Sequence, residues 1–295
     1  MSSLPFYLVD VFAECKLEGN QLAVFDNAGE LSKETMQAIA KETNLAETTF
    51  ITAKNGDSFD VRIFTTEYEM PFAGHPTIGT AAVIAQKILQ NSASELTLNL
   101  KIGPVKVLKK GELYQFSLKN GTILNALPKT EIAKMLDLSE NKLGKFPSEI
   151  SSTGYPFLMV EIIDLQTLKD ISISPVKMLA FLQNQKIHKS NSPDNYTVGI
   201  FCFCLEAEKK ENHMHSRMFL LQDNIILEDP ATGSAHTAFA YYAQKHEIFG
   251  KTFQKRSEQG FEIGRPSILH IAASDNGSVT LGGNVQFVAS GNWEI

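Results

Sequence analysis

The stretch 228–235, EDPATGSA, combines an acidic side chain with a turn of small residues. An apolar run before it predicts a strand, and the alanine-rich run 236–243 after it predicts a helix. Gly233 and Ser234 leave the first backbone N–H groups of that helix uncovered, which predicts an anion site at the positive end of the helix dipole. Asp229 places a titratable group beside this site. Two simpler roles remain open, since an aspartate near a helix start is a common cap and Ser234 is an ordinary first-turn residue.

A related stretch occurs in the first half of the chain, at residues 76–81. Its sequence, PTIGTA, matches PATGSA at residues 230–235 as Pro-x-x-Gly-(Ser/Thr)-Ala, and the match aligns His75 with Asp229. The pattern predicts two related halves, each with a helix N-terminus and one titratable side chain. The alternative is a chance similarity between two turns of small residues.

Two arginines support this alignment. Arg62 and Arg217 each begin an Arg-x-Phe triplet, at nearly the same distance before the two prolines. A weaker similarity pairs residues 19–25 with residues 154–160. We expect both arginines to tie strands or loops together rather than to bind a ligand.

The composition is typical of a folded protein, because 43% of the 295 residues are hydrophobic and 20% are charged. This length is natural for two domains. The net charge of −6 argues against nucleic acid as a partner, and no apolar stretch is long enough to span a membrane. Three cysteines give no disulfide framework, and the first residues show no signal-peptide pattern, so we expect a cytoplasmic protein.

Two helices are predicted to be buried on all sides. The run 77–89 has no charged residue up to Gln86, and the second helix, 234–243, is nearly as apolar. A helix without a polar face must be covered all round, and many short strands surround both helices in the sequence. The predicted fold class is therefore α+β, with two pseudo-symmetric domains, each a barrel-like, mostly antiparallel sheet wrapped around a central helix.

The turn signal Asn120-Gly121 marks a candidate domain boundary. We expect an N-terminal domain of residues 1–120 plus a C-terminal strand at about 286–295, carrying Glu47 and His75. Residues 121–285 would form the C-terminal domain.

Several familiar site types are missing from the sequence. The glycine turns lack the Gly-x-Gly-x-x-Gly spacing of a dinucleotide site and the lysine of a phosphate loop. The sequence also has no Gly-x-Ser-x-Gly elbow and no zinc-binding motif. What remains is acid–base chemistry by His75, Asp229 and a carboxylate such as Glu47, with a small carboxylate as the natural ligand of two helix N-termini. On local sequence alone, however, Glu47 at a strand entry is typical of a solvated residue.

Other residues with reactive side chains favour structural roles. Cys202 and Cys204 lie on one face of an apolar strand without a second pair nearby, so buried structural cysteines are predicted rather than metal ligands. His213 and His215 also lack partner ligands, and no metal is expected. Because Arg217 follows it closely, His215 is expected to approach the ligand site.

Five stretches together resemble the PhzF family, the phenazine-biosynthesis-like isomerases of the diaminopimelate epimerase-like fold. The stretches appear in family order over nearly the whole chain, at residues 19–25, 44–50, 71–76, 228–235 and 259–267. The resemblance implies two similar domains with the site in the cleft between them. It also implies an isomerase that moves a proton without a cofactor.

The resemblance also implies roles for single residues. Glu47 becomes the general acid/base, and His75, Asp229 and Ser234 become groups that bind and polarise the substrate. A carboxylate whose pKa is raised by burial can take a proton from one carbon and return it to another. The resemblance thus reverses the surface role that the local sequence gives Glu47.

The remaining substrate-binding candidates, besides Ser234, are Asn20, Gly74, Thr232 and Gly233. Related amino-acid epimerases place a cysteine at each helix start, where this chain has His75 and Asp229 by the alignment above, so a two-thiol mechanism is disfavoured.

Two positions depart from the family pattern without removing a catalytic group, since Gln21 replaces a common proline and Ala46 a common serine. A non-catalytic binding or interaction protein that kept the cleft is the alternative function. A homodimer is the partner expectation, beside the small carboxylate.

Overall fold

The computed structural model describes residues 3–119, 121–193 and 195–295. It divides into two compact units, one formed by the chain up to Ser117 together with Leu281–Ile295, and the other by Leu118–Thr280. The first residue of the turn signal that set the predicted boundary, Asn120, lies outside the described residues.

The elements of the described residues are named in chain order. The strands are β1 (Ser3–Val11), β2 (Asn20–Phe25), β3 (Thr48–Asn55), β4 (Ser58–Phe64), β5 (Glu69–Met70), β6 (Glu95–Leu100), β7 (Gly103–Lys110), β8 (Leu113–Leu118), β9 (Thr122–Ala126), β10 (Glu149–Ser152), β11 (Pro156–Glu161), β12 (Gly199–Cys204), β13 (Met214–Gln222), β14 (Ile225–Asp229), β15 (Phe253–Gln259), β16 (Ser267–Ala273), β17 (Val279–Gly283) and β18 (Val285–Glu294). The helices are α1 (Lys33–Thr43), α2 (Gly74–Val83), α3 (Lys129–Leu136), α4 (Leu165–Lys169), α5 (Pro175–Asn184) and α6 (Gly233–Lys245).

In the first unit, a curved sheet surrounds α2. Strand β1 pairs with β18 and β2, β2 runs parallel to β3, and β4 pairs with β3, β5 and β6. All residues of α2 are buried, and the helix contacts β1, β2, β3, β6, β7 and β18. This confirms the prediction from the missing polar face, since every side of α2 meets an apolar strand surface.

The start of α2 differs from the prediction. The helix begins at Gly74 rather than after Pro76, so His75 and Pro76 lie in its first turn. A proline fits there because the first N–H groups of a helix have no partner inside it. The helix continues beyond Val83 as a short π-helical segment, Ile84–Ile88.

The second unit repeats the same order of pairing around α6. Strand β11 pairs with β10 and runs parallel to β12, and β13 pairs with β12, β14 and β15. Helix α6 contacts β10, β11 and β16, and all its residues are buried except Ser234, Tyr241, Gln244 and Lys245. The outer face of this sheet packs on α3, α4 and α5 through a core that includes Leu168, Met178 and Leu182.

Strand register, rather than sequence motif, decides which residues of the two units correspond. In the β4–β5 hairpin Phe64 pairs with Glu69, and in the β13–β14 hairpin Phe219 pairs with Glu228. Glu69 and Glu228 are therefore counterparts, and the next residues, Met70 and Asp229, correspond as well.

The helix starts follow these glutamates at the same interval, at Gly74 and Gly233. His75 therefore corresponds to Ser234, and Pro71, directly after β5, corresponds to Pro230. The alignment of His75 with Asp229 was wrong. The sequence motif gave this wrong alignment because the β13–β14 hairpin is longer than the β4–β5 hairpin. Residues equally far from the two arginines are therefore not structurally equivalent.

No helix among the described residues is long and apolar enough to cross a membrane.

Candidate active site

One edge of the first sheet brings the first group of candidates together. Because β2 and β3 are parallel, their N-terminal ends lie at the same edge, which places Asn20 near Glu47. Helix α2 begins at this edge, since the ring of His75 donates a hydrogen bond to the backbone carbonyl of Gln21. Asn20 is buried, as is His75.

Within this first group, Nε2 of His75 and Oε2 of Glu47 lie 3.4 Å apart. The side chains are only 6% and 16% exposed. Burial lowers the pKa of His75 to about 3, so the imidazole is neutral near pH 7 and the contact is not an ion pair there.

Nε2 of His75, which faces Glu47, is therefore an acceptor. The other ring nitrogen carries the hydrogen that is bonded to the Gln21 carbonyl. Nε2 of His75 is buried and has no hydrogen-bond partner among the described residues. A neutral acceptor beside a carboxyl oxygen can share one proton with it, which suits the relay of a proton.

The second group lies between β14 and α6. Asp229 ends β14, and Thr232 is the N-cap residue of α6. The hydroxyl of Thr232 donates to Oδ2 of Asp229 over 2.5 Å. The carboxylate thus faces the N-cap hydroxyl, while Ser234 lies in the first turn.

Both central helices begin without a side-chain cap. Neither Ala73, the N-cap of α2, nor Thr232, the N-cap of α6, accepts a hydrogen bond with its side chain from the first turn. The backbone N–H groups that follow, beginning with Gly74 and Gly233, keep the polarity that favours an anion. Each unit by itself therefore offers the helix start that the sequence predicted.

One buried residue of this region received no role from the sequence. Gln259, at the end of β15, contacts the backbone and hydroxyl of Thr232 and the carbonyl of Asp229. Only the structure identifies this residue. The next residue, Gly260, has φ +80°, and a Cβ there would lie 2.5 Å from the Pro230 carbonyl oxygen, so the backbone at this point is closely packed.

The two arginines are structural, as predicted. Arg62 binds Glu69 through Nε and Nη2 at 2.7 and 3.0 Å, and Arg217 binds Glu228 through the same atoms at 2.8 and 2.8 Å. Each of these bidentate arginine–glutamate pairs, called forks below, links two neighbouring strands of one unit.

His215 serves a different network from the one expected. Its ring lies between Glu258 and Glu262, at 2.7 and 3.0 Å, and the structure shows no bond from it to Asp229 or Ser234. Hydrogen bonds to both carboxylates outweigh burial and raise its pKa to about 9, so it is charged at pH 7.

The cysteine prediction is confirmed. Cys202 and Cys204 are buried in β12, and burial raises their pKa values to about 12 and about 11. Neither thiol is a thiolate at neutral pH, so they act as small apolar side chains.

The sheet-wrapped central helix of each unit defines the diaminopimelate epimerase-like fold, and several similar proteins are named isomerases. Residues 9–291 match the family described as phenazine biosynthesis-like protein, PhzC-PhzF. The chain therefore belongs to the PhzF family.

Three similar proteins illustrate this membership. An uncharacterized isomerase of Pasteurella multocida is 31% identical over 99% of this chain and 94% of its own length. The trans-2,3-dihydro-3-hydroxyanthranilate isomerase of Pseudomonas aeruginosa is 30% identical over 97% of this chain and 98% of its own length. The crystal structure of a PhzF-family protein from Bacillus anthracis covers 100% of both chains with a TM-score of 0.84 at 23% identity, which supports the fold.

Proposed function

We propose that the protein catalyses an intramolecular proton transfer on a small carboxylate, with Glu47 as both base and acid. The observation that carries this proposal is the contact between Oε2 of Glu47 and the unpartnered Nε2 of His75. A buried acid–base pair at a helix start is poorly explained by stability, because an unsatisfied buried nitrogen is unfavourable.

The proposed reaction begins when the Glu47 carboxylate removes a proton from a substrate carbon. The electron pair moves into the substrate π-system toward its carboxylate, and the protonated Glu47 delivers a proton to a different carbon. Its side chain is 16% exposed, so the proton it carries exchanges with water before delivery. Neutral His75 accepts a hydrogen bond and holds the orientation of the group that carries the proton. A carboxylate can perform both transfers itself, so the reaction needs no cofactor.

The anionic end of the substrate is proposed to bind at the helix starts. The N–H groups near Gly74 and Gly233, with Ser234 and Asp229, would bind and polarise it, and Asn20 would contact it in the first unit. The negative charge that develops during proton removal is stabilised by such pre-oriented N–H groups.

The substrate class is proposed from the relatives. Several are named for the isomerisation of trans-2,3-dihydro-3-hydroxyanthranilate, a small cyclic carboxylate. We propose a substrate of the same chemical kind, with an acidic C–H bond conjugated to its carboxylate.

The test is incorporation of solvent deuterium. The protein is incubated in D₂O with trans-2,3-dihydro-3-hydroxyanthranilate and related cyclic acids, and uptake at carbon is followed by NMR. Glu47→Gln is expected to lower the uptake rate about 10²- to 10⁴-fold, the usual contribution of a general acid/base. Glu42→Gln, which removes an exposed carboxyl from α1, is the matched control and should keep the wild-type rate.

Equal uptake by Glu47→Gln and wild type would exclude Glu47 as the proton carrier. If the wild-type protein exchanges no carbon-bound proton in any acid of this class, the proposed reaction is wrong.

A further inference from the structure

Gln259 makes three hydrogen bonds to the segment that carries Asp229, and its side chain is fully buried. We infer that Gln259 is a positioning residue that, through the Thr232 hydroxyl, holds Asp229 as an oriented hydrogen-bond acceptor. The inference rests on the proposed function only in assigning this carboxylate to the substrate.

The direction of each hydrogen bond follows from one backbone group. The N–H of Thr232 can only donate, and it lies 3.1 Å from Oε1 of Gln259. This fixes the orientation of the amide, so Nε2 of Gln259 is the donor to the Asp229 carbonyl at 2.6 Å and to Oγ1 of Thr232 at 3.0 Å.

The Thr232 hydroxyl has a single hydrogen. Because Oγ1 already accepts from Gln259, that hydrogen points to Oδ2 of Asp229, 2.5 Å away. Oδ2 is therefore an acceptor, and the bond favours the charged form of Asp229. The Gln259 amide, the Thr232 hydroxyl and the Asp229 carboxylate therefore form one chain of hydrogen bonds. The N–H of Thr232 determines which atom donates in each of them.

The sheet explains why these groups meet. On β13, Ser216 pairs with Gln259 of β15 and Met218 pairs with Asp229 of β14. Strand β12 pairs with residues 215–219 of β13, so β14 and β15 must follow each other along the opposite edge. Gln259 and Asp229 face each other at the point where the chain leaves the sheet for α6 and later returns.

The first unit shows that the fold does not require this polar chain. There, β5 and β6 follow each other along β4 in the same way, with Ile63 paired to Met70 and Asp60 to Asn99. By register, Met70 corresponds to Asp229 and Leu100 to Gln259. Two apolar side chains, which line a cavity, occupy these positions, so the fold forms there without an amide and a carboxylate.

The loop after Gln259 limits its freedom further. Gly260 leaves no space for a side chain, because a Cβ would lie 2.5 Å from the carbonyl oxygens of Pro230 and Arg265. The backbone on both sides of the amide is thus held in place. A side chain fixed in this way can align Asp229 before the substrate arrives, which is what an effective polarising group needs.

The first measurement needs no substrate. Asp side chains are labelled with ¹³C at the carboxyl carbon, the Asp229 signal is assigned with Asp229→Asn, and its midpoint is followed against pH. Thr232→Val and Gln259→Leu are expected to move the midpoint upward by about one pH unit, because a bond to the charged form is lost. Thr232→Ser keeps the hydroxyl and should keep the midpoint.

The second measurement uses the deuterium assay. Gln259→Leu and Thr232→Val are expected to lower kcat about 10- to 100-fold with a smaller change in KM, the effect of one lost charge-assisted bond. Gln259→Glu preserves the shape but cannot donate when ionised, so it should lose activity at neutral pH and regain part of it as the pH falls and the introduced carboxyl is protonated.

Gln244→Leu is the matched control. Its amide donates to the carbonyls of Lys251 and Ser274 at the far end of α6. It should affect neither the Asp229 midpoint nor kcat, even where it lowers the melting temperature.

The inference is overturned if folded Thr232→Val and Gln259→Leu both keep the wild-type midpoint, or if Gln259→Leu matches Gln244→Leu in both measurements. Should Gln259→Leu fail to fold, Thr232→Val against Thr232→Ser makes the same test. Absence of deuterium uptake by the wild type would reject the proposed function alone, because the titration does not depend on turnover.

Discussion

In the first unit Glu47 precedes Thr48, which pairs with Phe64; in the second, Gly199 precedes Ile200, which pairs with Phe219. The two positions correspond by register, yet one carries the carboxyl and the other has no side chain. A Cβ on Gly199 would lie 2.7 Å from the ring of Phe157. The same fold thus carries a carboxyl at this position only in the first unit, and packing excludes a side chain from the equivalent position in the second.

The arginine forks differ in what covers them. Nη1 of Arg217 donates to the carbonyls of Leu168, Lys169 and Ile171, at the end of α4. Arg62 has no such cover and instead lines an open cavity of about 210 Å³. The shared fork is a structural feature of the fold, whereas its burial depends on the helices that each unit adds between its parallel strands.

The largest expected difference between the units concerns these forks. Arg217→Met should lower the free energy of unfolding by about 3–5 kcal/mol, because Glu228 loses its partner and three backbone carbonyls lose their donor. Arg62→Met should lower it by about 1 kcal/mol or less, because the Arg62 side chain is 30% exposed and Lys33 remains 3.7 Å from Glu69. Urea unfolding followed by circular dichroism measures both. Equal losses would show that burial does not distinguish the forks.

The second difference concerns how the stability contributed by His75 and by His215 changes with pH. Because the folded-state pKa of His75 is about 3 and the unfolded value is about 6.5, the unfolded chain binds more protons between these values and stability falls as the pH is lowered. His75→Gln should therefore recover about 2 kcal/mol of the loss between pH 6.5 and 4.5. Buried His236, with a pKa of about 4, accounts for the acid sensitivity that remains.

His215 has the opposite sign. Its pKa is raised to about 9, so its contribution is complete below about pH 6.5 and is lost as the pH rises through 9. His215→Gln should flatten the decline in stability on the alkaline side while His75→Gln leaves it unchanged. Melting temperatures between pH 4.5 and 9.5 measure both slopes. An alkaline decline retained in His215→Gln would contradict this assignment.

A smaller effect is expected from Gly199→Ala. The added methyl meets the Phe157 ring at 2.7 Å and Leu220 at 3.2 Å, so it should destabilise the protein by about 1–3 kcal/mol. Phe157→Leu in the same chain should restore part of this loss by relieving the contact. If Gly199→Ala is neutral, packing does not explain why the second unit lacks a side chain at this position.

The smallest effects should be equal in the two units. Ser32 caps α1 by accepting from the N–H of Thr35, and Asp164 caps α4 by accepting from the N–H of Thr167. Ser32→Ala and Asp164→Ala should each give a small and similar loss of stability, seen as a lower melting temperature. Trp293 fluorescence, a probe within the first unit, should report Ser32→Ala more strongly than Asp164→Ala. A loss near zero for either variant would show that its cap contributes nothing.

Local sequence predicted the features that depend on neighbouring residues. The two central helices followed from runs without a polar face, because such a helix has to be covered on all sides. Spacing is equally local in α1, where Ser32 accepts a hydrogen bond from the N–H of Thr35, and Met36, Ile39 and Ala40 form the buried face. These are short-range properties of spacing and side-chain chemistry.

Tertiary structure decided which distant residues meet. Glu47 and His75 are separated by strands β3 to β5, and the parallel pairing of β2 with β3 brings them to one edge, which no local pattern contains. The same is true of Gln259, which reaches Asp229 because β14 and β15 share an edge of β13. Hairpin length likewise determined that Ser234, and not Asp229, corresponds to His75, because hydrogen-bond register depends on the partner strand as well as on the residues themselves.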